Sequence, residues 1–138
     1  MPNGATWIKL ECGHLVKKDE LDNSGFSFES WTSKSGKTLY PYQLEGANFI
    51  VSANGRALIA DQPALGKTVQ AISFLKGYES IATPALWVCK STLKIQAMKE
   101  IVDWAGVEYF PQIINNSRSF VLPGMKVYII SMDLLRNF

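Results

Sequence analysis

The sequence predicts an α/β fold in which helices flank a mainly parallel sheet. Apolar runs of strand length alternate along the chain with segments whose apolar residues recur at helical spacing. One of these runs leads through a turn-rich hexapeptide into Gly66-Lys67-Thr68, where a helical pattern begins. This junction would lie at the carboxyl end of its strand, where open parallel sheets bind their ligands.

Length, composition and charge narrow the class of protein. With 138 residues, of which 47% are hydrophobic, the chain can form one domain with its own core. The net charge of +2 gives no broad electrostatic footprint, so nucleic-acid binding has to be argued from local motifs. Cys12 and Cys89 are far apart, which fits a reducing compartment and argues against a disulfide framework. Because the sequence lacks an apolar run of membrane-spanning length and a signal peptide, we expect an intracellular protein with no membrane partner.

The chain divides by composition into residues 1–38 and residues 39–138. The first block is expected to be a small β-rich appendage that covers one edge of the main domain. Trp7–Leu10 and Leu15–Val16 would pair as a hairpin, and Gly25–Glu29 alternates as a half-buried strand does.

Two features of residues 1–38 suggest a binding site, but the sequence around each of them argues against one. Cys12 and His14 are potential metal ligands, but a tetrahedral zinc site needs about four, so we expect no metal here. Gly36-Lys37-Thr38 has no apolar strand before it, and Pro41 follows too closely for a helix to begin at Lys37. We therefore interpret this tripeptide as part of a loop.

The main block reads as alternating helices and strands. The first predicted elements are a helix from Pro41 to Asn54-Gly55, a strand at 57–60 and a helix containing Val69, Ile72 and Leu75. A strand at 85–89 follows, and then a helix from Leu93 to Val102 that is capped by Ser91 or Thr92 and ends near Gly106. The last elements are strands at 112–114 and 126–130 and a short helix capped by Ser131.

The junction around Gly66-Lys67-Thr68 has the strand, loop and helix order of a phosphate-binding loop. Backbone N–H groups in such a loop point at the anion, and the helix N-terminus adds partial positive charge. Lys67 would reach the β- and γ-phosphates of a nucleotide, and the Thr68 hydroxyl would hold Mg²⁺. The alternative is an ordinary strand-to-helix turn in which Lys67 is only solvated.

Gln43 allows two interpretations. It is either a solvated surface residue or a group that pairs through its amide with N6 and N7 of an adenine, as in base-edge readout. Side-chain chemistry alone does not choose between them.

Four segments together resemble the first RecA-like ATPase lobe of superfamily-2 helicases, and within them the Swi/Snf-type DNA translocases, with the annealing helicases as the most similar branch. The resemblance covers residues 39–138. Its motifs are Leu39-Tyr40-Pro41-Tyr42-Gln43-Leu44-Glu45-Gly46, Ala60-Asp61-Gln62-Pro63-Ala64-Leu65-Gly66-Lys67-Thr68-Val69-Gln70-Ala71-Ile72, Leu86-Trp87-Val88-Cys89-Lys90-Ser91-Thr92-Leu93 and Val127-Tyr128-Ile129-Ile130-Ser131-Met132-Asp133-Leu134-Leu135.

This resemblance implies a role for each matching residue. Gln43 would read adenine with Tyr42 beside the base, and the triphosphate and Mg²⁺ would lie on the phosphate loop, with Lys67 and Thr68 as the catalytic pair. Ser91, Thr92 and Ser131 would contact the phosphates of double-stranded DNA, although plain helix capping explains these hydroxyls equally well. The implied loop ligands of ATP are Asp61, Leu65, Gly66, Lys67 and Thr68.

The sequence departs from the family in ways that limit these expectations. Gln62, Pro63 and Ala64 replace the usual residues of the loop, and Lys90 replaces a usual proline. Pro63 removes a backbone donor and Ala64 adds a Cβ where a glycine often takes an unusual conformation, which puts nucleotide binding in doubt.

The family's Asp-Glu motif and its second ATPase lobe are expected beyond residue 138, so this chain would be a partial lobe that ends before that motif. We therefore expect the parent protein to be an ATP hydrolase, and these 138 residues at most to bind nucleotide without turning it over. The alternative is a stand-alone, non-hydrolysing interaction or regulatory module with a degenerate loop. A small nucleotide-dependent kinase is disfavoured because no acceptor or lid segment follows the loop.

Overall fold

A computed structural model describes residue 33, residues 36–137 and two short strands near the N-terminus. These strands, β1 (Trp7–Lys9) and β2 (Leu15–Lys17), pair antiparallel with Ile8 opposite Val16, in the place where a hairpin was predicted. Cys12, His14 and the predicted strand Gly25–Glu29 lie outside the described residues. The division into an appendage and a main domain therefore stays a prediction.

The first helix, α1, spans Pro41–Ser52. Pro41 fits the first helical position because its missing N–H would have no partner there. The side chain of Gln43 completes a capping box, since its Oε1 accepts a hydrogen bond from the N–H of Tyr40 at 3.0 Å. The chain turns away through Asn54 and Gly55, which both have positive φ, so the predicted stop is confirmed.

Three parallel strands form the main sheet. β3 (Ala85–Cys89), β4 (Gln112–Ile113) and β5 (Val127–Ser131) lie in the order β3-β5-β4. β5 is central, and its side chains are almost fully buried, as expected for a parallel strand covered on both faces. The predicted parallel α/β architecture is confirmed.

Two helices cover this sheet and build the core with it. These are α2 (Lys67–Gly77) and α4 (Lys94–Ala105), separated in sequence by the one-turn helix α3 (Glu79–Ala82). A last short helix, α5, spans Met132–Arg136. The shared core consists mainly of apolar side chains from α2, α4 and β5: Val69, Ile72, Leu75, Ala97, Ile101, Trp104, Val127 and Ile129.

The strand predicted at residues 57–60 is not formed. Within the described part of the chain, no backbone hydrogen bond joins this segment to the sheet, and Leu58 is 84% exposed. An apolar run has the composition of a buried strand, but a strand also needs a hydrogen-bonded neighbour. Among the described residues the sheet begins at β3, so this segment has no such neighbour.

The predicted caps are only partly present. Ser91 and Thr92 belong to a 3₁₀ turn, Ser91–Leu93, and α4 begins after it with Leu93 at its cap position and no side-chain capping bond. Ser131 does occupy the cap position of α5, but its hydroxyl makes no capping hydrogen bond. Thus both hydroxyl groups at the end of β3 lie at a helix start without serving as its cap.

A polar cluster ties the start of the sheet to the short helices. The hydroxyl of Tyr109, in the 3₁₀ turn Val107–Tyr109, donates to Glu79 of α3. Lys126 Nζ lies 2.6 Å from Glu79 Oε1 and 4.5 Å from the centroid of the Tyr109 ring. Lys126 and then Tyr109 hold the pKa of Glu79 below its ordinary value, and desolvation and Glu79 raise the pKa of Tyr109 well above its usual range.

Among the residues that the structure describes, no helix has both the length and the apolar character required to cross a lipid bilayer.

Candidate functional site

The predicted phosphate loop, residues 61–66, leads directly into helix α2. Gly66 is the residue before the helix, and its φ of 76° lies in the left-handed region that favours glycine. Its carbonyl oxygen accepts the first hydrogen bonds of the helix, from Val69 N at 3.1 Å and Gln70 N at 3.4 Å. The N–H groups at the start of α2 therefore lie at the end of the loop, where helix starts have unused donors.

Two residues make this loop unusual. Ala64 has a φ of 68°, so a non-glycine residue occupies the left-handed region, as its place in the motif had suggested. Such a conformation costs an L-residue about 1–2 kcal/mol. Pro63, just before it, contributes no N–H donor. The loop adopts a glycine-like path despite its substitutions, at some cost in stability.

Lys67 lies against the loop instead of extending into solvent. Its Nζ donates to the carbonyl oxygen of Asp61 at 2.7 Å and to that of Gln62 at 3.1 Å. The ammonium group thus bridges the start of the loop to the start of α2. The role of Lys67 in phosphate binding stays a prediction, as does the alternative of an ordinary strand-to-helix turn.

Two buried glutamines hold the loop at its two ends. Gln43 of α1 is 6% exposed, and its Nε2 donates to the carbonyl oxygen of Leu65 at 3.3 Å. A Cβ on Gly66 would lie 2.4 Å from Gln43 Nε2, so glycine is also required there for space. Gln70 of α2 is fully buried, and its Nε2 donates to Asp61 Oδ2 at 2.9 Å.

Sequence reasoning assigned no role to Gln70. Its Oε1 is buried, accepts no hydrogen bond from the described part of the chain, and lies against Gly46 of α1. The only signal in the sequence was a polar residue among apolar ones in the first turn of a predicted helix. The contact with Gly46 explains why that position of α1 is held by a glycine.

The amide of Gln43 is already engaged by the protein. Its Oε1 accepts from Tyr40 N and its Nε2 donates to Leu65 O. An amide has two donor hydrogens and two acceptor lone pairs, so one of each remains for a base edge. Tyr42 is 40% exposed and its ring is stacked on Tyr40 with centroids 5.8 Å apart.

A cavity of about 380 Å³ opens in front of the helix start. Ala64, Gly66, Lys67 and Thr68 line one side of it, and Gln96 and Glu100 of α4 line the other. This volume lies within the roughly 300–1,000 Å³ range of small-molecule sites. The structure thus brings Lys67 and Thr68 together, and it adds two residues of α4 that the motifs did not indicate.

A metal at this cavity would have few protein ligands. Among the described residues there is no group of three or more His, Cys, Asp or Glu side chains that could hold an ion. Mg²⁺ often keeps several waters and binds through one or two carboxylates together with substrate phosphates. The Thr68 hydroxyl and the Glu100 carboxylate fit that kind of site, with the remaining ligands supplied by a nucleotide and water.

The hydroxyl groups predicted to contact DNA lie at one edge of the sheet. β3 and β5 are adjacent and parallel, with Cys89 paired to Ser131, so Ser91 and Ser131 follow neighbouring strand ends. Ser91 and Thr92 are exposed, whereas Ser131 is only 5% exposed. The first two hydroxyls are available to a ligand, and that of Ser131 is largely covered.

Cys89 lines a smaller cavity of about 100 Å³ that also contains Thr68 and Glu100. Burial raises the pKa of the Cys89 thiol, and the charge of Lys94 only partly opposes this shift. The thiol is therefore protonated at neutral pH, and it lacks the thiolate character of a catalytic cysteine. Lys94 itself is buried and donates to the carbonyl oxygen of Ile114 at 2.7 Å.

Comparison with known proteins identifies relatives for this arrangement. The model of the SNF2-related domain matches residues 42–125. The SWI/SNF-related matrix-associated actin-dependent regulator of chromatin subfamily A-like protein 1 of Xenopus tropicalis is 35% identical over 109 residues, covering 75% of this chain and 11% of that protein. The DNA annealing helicase and endonuclease ZRANB3 of Bos taurus is 39% identical over 110 residues, covering 75% of this chain and 10% of that protein. The chain thus spans about a tenth of the length of these relatives.

Proposed function

The chain belongs to the SNF2-related domain family, as its motifs predicted, and from this premise we propose that it is the ATP-binding part of a Swi/Snf-type DNA translocase. The observation that carries the proposal is the cavity in front of α2, where Lys67 and Thr68 lie side by side at a helix N-terminus. Helix starts of this kind are suited to phosphate groups because their N–H donors and partial positive charge both face the anion.

Nucleotide binding would require one rearrangement of the loop. Lys67 Nζ now donates to the carbonyl oxygens of Asp61 and Gln62, and these neutral acceptors would be exchanged for charged phosphate oxygens. A phosphate oxygen carries a charge opposite to that of the Lys67 ammonium, which gives a Coulomb attraction that a neutral carbonyl oxygen does not offer, so the exchange favours the bound state. The ends of the loop remain fixed by Gln43 and Gln70.

The other functional groups have separate roles in this proposal. Gln43 reads the adenine edge with its remaining donor and acceptor, and Tyr42 lies beside the base. The Thr68 hydroxyl, with the nucleotide phosphates, would hold Mg²⁺, and this ion would supply neutralisation of the phosphate charge. These residues bind and orient the nucleotide.

We assign DNA contacts to the exposed hydroxyls of Ser91 and Thr92 at the end of β3. Contacts of this kind go to the phosphate backbone and carry no sequence information, which suits an enzyme that moves along DNA. Ser131 is only 5% exposed, so a DNA contact of this residue would require the end of β5 to become uncovered. The relatives named for chromatin and DNA support an intracellular or nuclear site of action.

Movement along DNA is proposed only for a longer protein of this type. The cavity lining contains one carboxylate, Glu100, and no arginine. Arginine fingers supply about 10³- to 10⁵-fold in the rate of phosphoryl transfer in nucleotide hydrolases. We therefore assign ATP binding to these residues, and ATP hydrolysis to their assembly with a second ATPase lobe.

The experiment that tests this proposal is a thermal melt with and without Mg-ATP. Wild type is compared with Lys67→Ala and with Lys37→Ala, because Lys37 belongs to the second Gly-Lys-Thr of the same chain but pairs with Asp103 at 2.7 Å. A ligand present at about 100 times its Kd adds roughly 2.7 kcal/mol to the free energy of unfolding. We expect a shift of several degrees in wild type and Lys37→Ala, and none in Lys67→Ala.

A second candidate function is a non-hydrolysing interaction module. It is favoured by the loop itself, since Ala64 holds a costly conformation, Pro63 lacks a donor, and Lys67 is satisfied by loop carbonyls. If wild type melts cooperatively but does not shift with Mg-ATP, this candidate replaces the first. A shift that persists in Lys67→Ala would also reject the proposed site, because the nucleotide would then bind elsewhere.

A further inference from the structure

The side of the cavity opposite the phosphate loop is formed by helix α4. Gln96 and Glu100 lie one helical turn apart there, and Gln96 Nε2 donates to Glu100 Oε1 at 2.9 Å. Glu100 also lines the adjoining smaller cavity, again together with Thr68. Thr68 and Glu100 therefore line the same two cavities.

The acidic residue of the loop itself is directed elsewhere. Asp61 lines a different cavity of about 390 Å³, which it shares with Tyr42 and Glu45 of α1. Its Oδ2 accepts a hydrogen bond from the buried Gln70 amide. Among the residues that line the cavity of Thr68, Glu100 is thus the one that carries a carboxylate.

We propose that Glu100 is a positioning residue for the metal of the bound nucleotide. Its carboxylate would accept hydrogen bonds from water bound to Mg²⁺, and the Gln96 amide would hold the carboxylate in place. Outer-shell carboxylates of this kind orient the ligands of a metal and contribute to its affinity. This inference rests on the proposed nucleotide site and adds to it a residue of α4.

The charge of Glu100 gives the inference a distinctive consequence. Without a divalent ion, a carboxylate facing a triphosphate repels it. With Mg²⁺ between them, the same carboxylate attracts the complex. The effect of removing the charge on nucleotide affinity should therefore change sign between a Mg²⁺ buffer and an EDTA buffer, whereas a purely structural role would move both affinities in the same direction.

Isothermal titration with ATP, in excess Mg²⁺ and separately in EDTA, tests this. Glu100→Gln keeps the shape of the side chain and an oxygen that can accept from Gln96. It is compared with Asp133→Asn, which removes the same charge from an exposed residue of α5 that lines neither cavity. We expect Glu100→Gln to weaken ATP binding about 10-fold in Mg²⁺. In EDTA the same variant should bind ATP as tightly as wild type or more tightly, and Asp133→Asn should follow wild type in both buffers.

The other outcomes separate the two proposals. If wild type binds ATP but Glu100→Gln changes affinity equally in both buffers, Glu100 has no role in metal positioning and the nucleotide site stands. If wild type binds ATP in neither buffer, the nucleotide site fails and the role of Glu100 fails with it. A second variant, Gln96→Leu, keeps the charge of Glu100 and removes only its amide donor. It should weaken ATP binding in Mg²⁺ by less than Glu100→Gln does, and it should not tighten ATP binding in EDTA.

Discussion

Gly46 is a glycine in the interior of α1, and replacing it with alanine tests how tightly α1 and the loop are coupled. In an unhindered helix, alanine would stabilise the folded state relative to glycine by about 1 kcal/mol. Here a Cβ would lie 1.8 Å from Gln70 Oε1 and 2.6 Å from Gln70 Cδ. Gln70 is fully buried and its Nε2 donates to Asp61 Oδ2, so we expect a displacement that makes room for the Cβ to break this hydrogen bond.

The expected magnitude follows from these opposing effects. A hydrogen bond to a charged group contributes about 1.5–3 kcal/mol, and the exposure of Asp61 favours the lower value. Overpacking a closed site costs about 1 kcal/mol or more. After subtraction of the helix-propensity gain of about 1 kcal/mol, Gly46→Ala should lower the free energy of unfolding by about 1.5 kcal/mol.

The assay is a double-mutant cycle measured by urea unfolding and thermal melts. In a Gln70→Ala background the obstacle is gone, so Gly46→Ala should stabilise the protein by up to about 1 kcal/mol. The coupling energy between the two positions is then about 2.5 kcal/mol, which is within the range seen for residues in contact. If Gly46→Ala stabilises the wild-type chain, or has the same effect in both backgrounds, the proposed contact between α1 and Gln70 is wrong.

Two further predictions concern the loop and the polar cluster at the start of the sheet. Ala64→Gly should stabilise the protein by about 0.5–1 kcal/mol, because relief of left-handed strain exceeds the extra entropy of glycine, and a Tm that falls in this variant would contradict the strain. In the folded state, Lys126 and then Tyr109 lower the pKa of Glu79. The stability that Glu79 contributes is therefore present above its ordinary pKa of 4.5, and it is lost as the pH falls through the lower folded value. Lys126→Met should therefore flatten the acid limb of a plot of unfolding free energy against pH, and an unchanged limb would show that the ion pair does not contribute.

The sequence predicted most of the helices and the parallel sheet, because these elements depend largely on residues that lie close together in the chain. The start of α1 at Pro41 and its end at Asn54-Gly55 follow from conformational preferences that act within a few residues. The strand β5 was predicted because a buried parallel strand is apolar at successive positions. By contrast, residues 57–60 have the same kind of composition and form no strand, since a ladder depends on a neighbour that a single segment cannot specify.

The sequence predicted the part of the candidate site whose backbone path is set by a motif. It did not predict the contacts between side chains that come from distant segments of the chain. Gly66, Lys67 and Thr68 lie at the helix start because glycine permits the turn that begins α2. Glu100 faces Thr68 only because α2 and α4 pack against each other, and Gln70 is buried only because α1 carries a glycine beside it. Each of these contacts requires the three-dimensional fold.

The segment before the phosphate loop and the helix after it differ in how their amide protons are protected. Residues 57–62 have no backbone ladder within the described part of the chain, whereas α2 is held in the core by Val69, Ile72 and Leu75. Amide protons of the segment should therefore exchange with solvent through small local openings, while those of α2 exchange only when the core opens. The loop joins these two regimes at Gly66. The backbone of its first half can therefore reshape around an anion, while the hydrogen bonds from Gln70 to the Asp61 side chain and from Gln43 to Leu65 hold its two ends. A bound nucleotide should slow exchange in the first half, and the ordering that this requires will reduce the affinity gained from the new contacts.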